Sequence, residues 1–120
     1  MQLFQFGKGN IGRTLIRQIV DQQAILASCG VHLEYVGFCG RSEAVLCPGG
    51  LHQLLTDDRA IDEVVPEASE RFTYSDPMAV LEQVIGLDLP DLCVIDTTAA
   101  DLTDIHLACL RQDIGCNSQL

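Results

Sequence analysis

The amino-terminal third of the chain alternates short apolar runs with one long segment of helical periodicity. Residues 1–6 (MQLFQF) predict a strand, residues 11–27 predict an amphipathic helix, and residues 31–38 (VHLEYVGF) predict a second strand. The apolar residues expected on one face of this helix are Ile11, Leu15, Ile19 and Leu26. Strand, helix and strand in succession indicate a β-α-β unit with a right-handed crossover and parallel strands.

A second helix is predicted for residues 75–86 (SDPMAVLEQVIG), where several signals agree. Asp76 suits the N-cap, Pro77 suits the first helical position, and Gly86 suits the end. The residues expected to face inward are Met78, Leu81 and Ile85.

One more strand and one more helix follow. Residues 92–95 (LCVI) form a continuous apolar run, which is typical of a parallel strand covered on both faces. Residues 101–115 predict a last helix that ends at a glycine. Its inward stripe is expected to consist of Leu102, Ile105 and Cys109.

The pattern is weaker between the second predicted strand and the second predicted helix. CPGG at 47–50 indicates a turn, LHQLL at 51–55 is consistent with a short helical piece, and the acidic stretch 57–70 is most simply a solvated face. With no repeat and no linker, residues 1–120 are expected to form a single α/β domain.

Charge and hydropathy narrow the function classes. Seventeen acidic against seven basic residues give a net charge of −10, which disfavours nucleic acid and anionic membrane as partners. No apolar run approaches the roughly 20 residues that span a bilayer, and the first residues do not resemble a signal peptide. A cytoplasmic protein is expected, and any phosphate it binds must be held by local donors.

The six cysteines are numerous for this length, but their spacing does not indicate a metal site. They form no C-x-x-C pair, and the three histidines are scattered. Most of the cysteines fall in apolar segments, so reduced, structural thiols are expected rather than a metal or redox centre. They are Cys29, Cys39, Cys47, Cys93, Cys109 and Cys116.

The segment that indicates a binding function is FQFGKGNIGR, in which three glycines follow a predicted strand and begin a predicted helix. In a dinucleotide-binding turn of this spacing, Gly7 allows the tight bend, Gly9 lets the backbone approach a pyrophosphate, and Gly12 lets the helix lie close to the sheet. The amides near Asn10 and Ile11 would then point at the anion from a helix N-terminus. The alternative is a glycine turn that only packs.

Alternating strands and helices with this first turn predict a Rossmann-like, doubly wound α/β domain. The sheet is expected to be mainly parallel, with helices on both faces. Ligands of such sheets bind outside the carboxyl ends of the strands.

The end of the second predicted strand bears on which dinucleotide is bound. An acidic residue there favours NAD, but the chain has Arg41 and Ser42, and Glu43 lies beyond. Arginine can pair with a 2′-phosphate and serine can add a hydrogen bond, so NADP is favoured over NAD. The alternative is that Arg41 is an exposed surface arginine that contacts no ligand. Lys8, in the glycine turn, is a second candidate for contact with phosphate, and the alternative is that its side chain points to solvent.

The third predicted strand ends in VIDTTAAD, at the same sheet edge. Thr97 and Thr98 are candidates for contact with the nicotinamide side of the dinucleotide. The alternative is that one of them caps the last helix.

The segments LFQFGKGNIGRTLIRQI, YVGFCGRSEA and VIDTTAAD together resemble the cofactor-binding domain of homoserine dehydrogenase, over nearly the whole chain. That family reduces aspartate semialdehyde to homoserine with NADH or NADPH, on the route to threonine and methionine. The resemblance implies that Arg41 lies near the adenosine ribose and Thr97 near the nicotinamide ribose. It implies a pyrophosphate cradle of Gly7, Gly9, Asn10, Ile11 and Gly12.

The carboxyl-terminal segment GCNSQL departs from that family, in which an asparagine-lysine segment follows and the lysine takes part in catalysis. Lys8 is the only lysine here. We therefore expect a truncated member with a sheet incomplete at its C-terminal end, no catalytic residue and no activity alone. The alternatives are a stand-alone nucleotide-binding module, one subunit of a split enzyme completed by a substrate domain or a second copy, and an inactive fragment with an exposed sheet edge.

Overall fold

The computed structural model describes residues 1–51 and 69–118, which form one sheet flanked by helices. The strands are β1 (Gln2–Phe6), β2 (Glu34–Cys39), β3 (Glu43–Leu46), β4 (Glu70–Thr73), β5 (Leu92–Asp96) and β6 (Gly115–Ser118). The helices are α1 (Asn10–Ser28), α2 (Pro77–Gly86) and α3 (Thr103–Arg111). Within these ranges the strand order is β4-β3-β2-β1-β5-β6.

The sheet is mixed. β1 pairs in parallel with β2 and β5, and β5 pairs in parallel with β6. β3 runs antiparallel to both β2 and β4. Only three residues join β2 to β3, which is too short for a crossover, so the chain must reverse there. The α/β class is confirmed, and the sheet is parallel only on the β2-β1-β5-β6 side.

Helices cover both faces of the sheet. Along β5, Val94 points into one apolar cluster, whereas Cys93 and Ile95 point into the other, as the two-residue period of a strand requires. Buried residues of α2 and α3 belong to the first cluster, and those of α1 belong to the second. The expectation of a strand covered on both faces at residues 92–95 is therefore confirmed.

Helix α1 forms where it was predicted, but its buried face is different. The structure buries Gly12, Ile16 and Val20, while Ile11 is 54% exposed. Leu15 and Ile19 only flank the buried stripe. The physical reason lies at Gly12: the helix approaches the sheet through this residue, so positions four and eight residues later follow it inward.

Helix α2 agrees closely with the sequence signals, whereas α3 is shorter than the predicted 101–115. The predicted stop at Gly115 is wrong, because α3 ends at Arg111 with Gln112 as the C-cap and Gly115 begins β6. Asp76 caps α2 by accepting a hydrogen bond from the amide of Met78 at 3.0 Å, with Pro77 as the first helical residue and Gly86 as the last. In α2 the fully buried residues are Val80, Leu81 and Val84, with Met78 and Ile85 half-buried beside them. The predicted stripe of the last helix, Leu102, Ile105 and Cys109, is buried in the same cluster.

Three strands escaped the sequence analysis. β3 and β4 extend the sheet beyond β2, and β6 adds an edge strand beside β5 in the segment that follows the last helix. The turn at 47–50 is confirmed by a 2.8 Å bond from the amide of Gly50 to the carbonyl of Cys47. The helical piece predicted at 51–55 and most of the acidic stretch 57–70 lie outside the described residues. None of the described helices combines the length and the apolarity that crossing a bilayer requires.

Candidate functional site

The glycine turn (residues 7–12) leaves the end of β1 in a conformation that suits glycine. Gly7 has a φ of +106°, and a Cβ at this position would lie 2.4 Å from Thr97 Oγ1. Its amide donates to the carbonyl of Cys39 at 2.8 Å. Gly7 is thus held between the ends of β2 and β5, with no room for a side chain.

Gly12 and Gly9 have opposite surroundings. A Cβ at Gly12 would lie 2.5 Å from the carbonyl oxygen of Gly7 and 2.8 Å from Thr97 Oγ1, so this glycine lets α1 approach the turn. A Cβ at Gly9 would meet nothing within 4 Å among the described residues. Gly9 therefore does not serve internal packing. It leaves open space above the backbone, where a ligand can approach.

Gln5 holds the glycine turn from below, and the sequence analysis did not single it out. Its side chain is fully buried, and Nε2 donates to the carbonyls of Gly7 and Gly12, both at 2.9 Å. Its Oε1 accepts a 2.7 Å bond from the hydroxyl of Tyr35, which is also buried. The available signal was a glutamine between two phenylalanines in β1, two residues before Gly7.

The first turn of α1 is available to an anion. Gly9 is the N-cap, and within the described part of the chain no side chain caps this end and no acidic residue lies in the first turn. The exposed amide dipoles of such a helix end favour negative charge. The side chain of Asn10 accepts from Arg13 at 2.9 Å through Oδ1 and that of Ile11 is apolar and exposed, so Ile11 offers a ligand only its backbone amide.

A cleft of about 640 Å³ lies over the carboxyl ends of β1, β2 and β5. We call it the glycine-turn cleft. It gathers six of the residues predicted from the sequence: Gly7, Lys8, Gly9, Arg41, Thr97 and Thr98. Asn10, Ile11, Gly12 and Ser42 do not line it. Of these, Gly12 lies beneath the turn and Ser42 is exposed beside the cleft.

The cationic side of the glycine-turn cleft is formed by Lys8 and Arg41. The Lys8 side chain runs across Gly40, because a Cβ on Gly40 would lie 2.7 Å from Lys8 Cε. Arg41 follows Gly40 directly and is exposed. The two cations therefore meet at the loop between β2 and β3, next to the glycine turn. Coulomb attraction at such short range outweighs a distant, screened net charge.

The opposite side presents hydrogen-bond acceptors. The hydroxyl of Thr97 donates to the carbonyl of Phe6 at 3.0 Å, and that of Thr98 donates to Asp96 Oδ1 at 2.8 Å. The hydroxyl of Thr98 is only partly buried, so its oxygen remains as an acceptor for a donor group of a ligand. Thr97 Oγ1 is buried between Gly7 and Gly12, where it supports the glycine turn. The alternative that a threonine caps α3 is wrong, because Leu102 is the N-cap and the amide of Thr103 donates to Asp101.

Asp96 organises this side and was also missed. It is 4% exposed, accepts the amide of Thr98 at 2.9 Å through Oδ1, and lies 3.0 Å from His106 Nε2 through Oδ2. A buried carboxylate requires such partners, and here they fix the Thr97–Thr98 segment at the end of β5.

The rest of the lining of the glycine-turn cleft is mostly apolar, and it includes two titratable side chains, Cys39 and Tyr74. The other lining residues are Phe6, Gly40, Pro77, Ala99, Ala100 and Leu102. Burial raises the pKa of the Cys39 thiol to about 11, so the thiol is neutral near pH 7 and a poor nucleophile. All six cysteines are free thiols. No group of three or more potential metal ligands is found among residues 1–51 and 69–118. The cleft offers amides, cations and acceptors, which are the means of binding a ligand.

Comparisons of this chain with protein-family models, with curated protein sequences and with solved structures found no match. The resemblance to homoserine dehydrogenase is therefore carried by the three sequence segments alone.

Proposed function

We propose that this domain is Rossmann-like and binds a nicotinamide dinucleotide in the glycine-turn cleft, with its pyrophosphate over Gly9. The observation that carries the proposal is the contrast between the three glycines. Within residues 1–51 and 69–118, Gly7 and Gly12 are closely packed, whereas Gly9 faces open space at an N-terminus of α1 that no side chain caps. A turn that only packs has no use for a bare, open backbone at the end of a helix dipole.

NADP is the preferred ligand in this proposal, with NAD as the weaker one. Arg41, in the loop after β2, and Lys8, whose side chain reaches that loop from the glycine turn, are two cations where the adenosine ribose would lie. A 2′-phosphate gains charge-assisted hydrogen bonds from a guanidinium, whereas a 2′-hydroxyl gains much less. The Thr98 oxygen suits the carboxamide donors of the nicotinamide end, with Thr97 beside it at the end of β5.

The proposed activity class is that of an oxidoreductase related to homoserine dehydrogenase. The nicotinamide would supply the hydride, and this chain's residues would bind and orient it. The six free thiols accord with a reducing, cytoplasmic location. Because Lys8, its only lysine, belongs to the glycine turn, the chain has no lysine that could protonate the aldehyde oxygen. The chain therefore acts as the cofactor domain, or as the binding subunit of a split enzyme whose partner supplies the substrate groups.

The test of dinucleotide binding is a calorimetric titration with NADPH and with NADH on wild type, Gly9→Ala and Gly86→Ala. A methyl group at Gly9 keeps the fold, because its site is empty, but it separates a pyrophosphate from the amides. Losing one or two charge-assisted bonds lowers affinity for both dinucleotides by about 10- to 100-fold. Gly86, at the end of α2, also has open space around it and is the matched control. A folded wild type that binds neither dinucleotide at millimolar concentration refutes the proposal.

The test of the ribose assignment compares Arg41→Ala with Arg111→Ala. Arg111 lies in the last turn of α3, away from the glycine-turn cleft. We expect Arg41→Ala to weaken NADPH binding by about tenfold, with a much smaller effect on NADH, and Arg111→Ala to change neither. A preference for NADH that Arg41→Ala leaves unchanged would show that the ribose assignment is wrong.

A further inference from the structure

The antiparallel strands β3 and β4 bring Tyr74 to the loop that carries Arg41. Glu43 of β3 is paired with Thr73 of β4, so the next residue along β4 lies opposite the loop between β2 and β3. The amide of Tyr74 donates to the carbonyl of Ser42 at 2.9 Å. Its hydroxyl donates to the carbonyl of Gly40. Tyr74 therefore binds the residue on each side of Arg41.

This double attachment fixes the backbone of an otherwise exposed loop. The Tyr74 ring packs against the apolar cluster that α2 and α3 share, so the residue is anchored in the core. Burial raises the pKa of its hydroxyl, which keeps the proton on the tyrosine and the bond to Gly40 in place. The same Gly40 supports the Lys8 side chain. Tyr74 thus holds the segment on which both cations of the glycine-turn cleft depend.

We propose that Tyr74 is a positioning residue that sets the preference for a 2′-phosphorylated dinucleotide by holding Arg41 at the ribose pocket. This inference depends on the proposed function. A guanidinium on a mobile loop loses conformational entropy when it pairs with phosphate, whereas one on a fixed loop loses less. The gain concerns the phosphate contact alone, because the glycine turn is supported by other residues.

Tyr35 is the matched comparison. Its hydroxyl also donates to a partner inside the protein, but that partner is Gln5, which supports the glycine turn. Both dinucleotides carry the pyrophosphate, so loss of the Tyr35 bond should weaken the two ligands alike. Loss of the Tyr74 bond should change their ratio. A purely structural role for Tyr74 would behave as Tyr35 does.

The experiment measures the dissociation constants of NADPH and NADH for wild type, Tyr74→Phe and Tyr35→Phe, with melting curves as a check of folding. We expect Tyr74→Phe to weaken NADPH binding about three- to tenfold and NADH binding less than about twofold. Tyr35→Phe should weaken both by one similar factor. In the Arg41→Ala background, Tyr74→Phe should cause no further loss of NADPH affinity, since the group it positions is gone.

The outcomes separate this inference from the proposed function. A wild type that prefers NADPH, with a ratio that Tyr74→Phe leaves unchanged, overturns the role of Tyr74 and leaves dinucleotide binding standing. Equal losses for both ligands, or additive losses with Arg41→Ala, overturn it as well. A wild type that binds neither dinucleotide, or prefers NADH, overturns the proposed ligand and this role together.

Discussion

Removing the Gln5 amide is the most direct test of how the glycine turn is held. Gln5 lies in β1 with 0% exposure, and its amide group makes three hydrogen bonds, to Gly7, Gly12 and Tyr35. Gln5→Leu keeps much of the volume and removes the donor and the acceptor at once. The perturbation therefore isolates the polar clamp from the apolar packing around it.

The magnitude follows from what the substitution leaves behind. The hydroxyl of Tyr35 loses its acceptor in a fully buried site, which costs about 1–3 kcal/mol. The carbonyl of Gly12 loses little, since Gly12 lies within α1 and its carbonyl belongs to the helical pattern. The carbonyl of Gly7 precedes α1 and loses its bond from Gln5 at a partly buried site. The total is about 2–4 kcal/mol, a large part of the roughly 5–15 kcal/mol that stabilises a typical domain.

Urea unfolding followed by far-UV circular dichroism measures this loss, because the chain contains no tryptophan. The double variant Gln5→Leu/Tyr35→Phe should recover about 1–2 kcal/mol relative to Gln5→Leu alone, since the unpaired hydroxyl is removed as well. Gln18→Leu, at an exposed position of α1, is the control and should change stability by less than about 0.5 kcal/mol. A Gln5→Leu protein as stable as wild type, or a double variant that shows no recovery, would refute the clamp.

Two further predictions concern the thiols and turnover. Burial raises the pKa of the Cys39 thiol to about 11 from an ordinary value near 9, so this thiol loses its proton at lower pH in the unfolded chain than in the folded one. The free energy of unfolding should therefore fall as the pH rises above about 9, by up to about 2–3 kcal/mol for this group. A urea midpoint that stays constant from pH 8 to 10.5 would contradict the expected fall in stability. In the folded protein, the exposed Cys29 should be the first thiol that a thiol reagent labels. The 120-residue chain should give no homoserine-dependent reduction of NADP⁺ or NAD⁺ at 340 nm; a rate that increases with homoserine concentration would show that the chain supplies the missing proton donor itself.

Strong local signals made most of the fold predictable. Helix α2 has an aspartate N-cap followed by proline, and β5 begins with four consecutive apolar residues, so neither depends on distant contacts to be recognised. β3 and β4 have only four residues each, which is too few to establish a period of two. β4 also carries Glu70 and Arg71 on its exposed positions. β6, with the sequence GCNS, has no β-branched or aromatic residue that would mark it as a strand.

The site was predictable where it follows from topology. The carboxyl ends of β1, β2 and β5 meet at one edge, so residues just beyond them converge, as Gly7, Arg41 and Thr97 do. The residues that hold the site in place were not predictable. Gln5 is joined to Tyr35 thirty positions away, and Tyr74 is joined to Gly40 thirty-four positions away. Such pairs appear in no local spacing, because the connections are made by the sheet.

The mixed sheet and the acidic composition have a common consequence for selectivity. In a chain of net charge −10, the pyrophosphate contact proposed at the glycine turn uses amide dipoles and does not depend on a surplus of cations. The 2′-phosphate contact does need a cation, and over about 8 Å of screening length only a cation at the pocket can outweigh the surrounding carboxylates. Since such a contact acts at short range, the position of Arg41 matters more than the number of basic residues. The reversal of the chain into β3 and β4 supplies Tyr74, whose hydroxyl donates to the carbonyl of Gly40 beside Arg41. On this reasoning the antiparallel strands β3 and β4 would provide the discrimination between NADPH and NADH. The parallel part of the sheet would provide the binding contacts that both dinucleotides share.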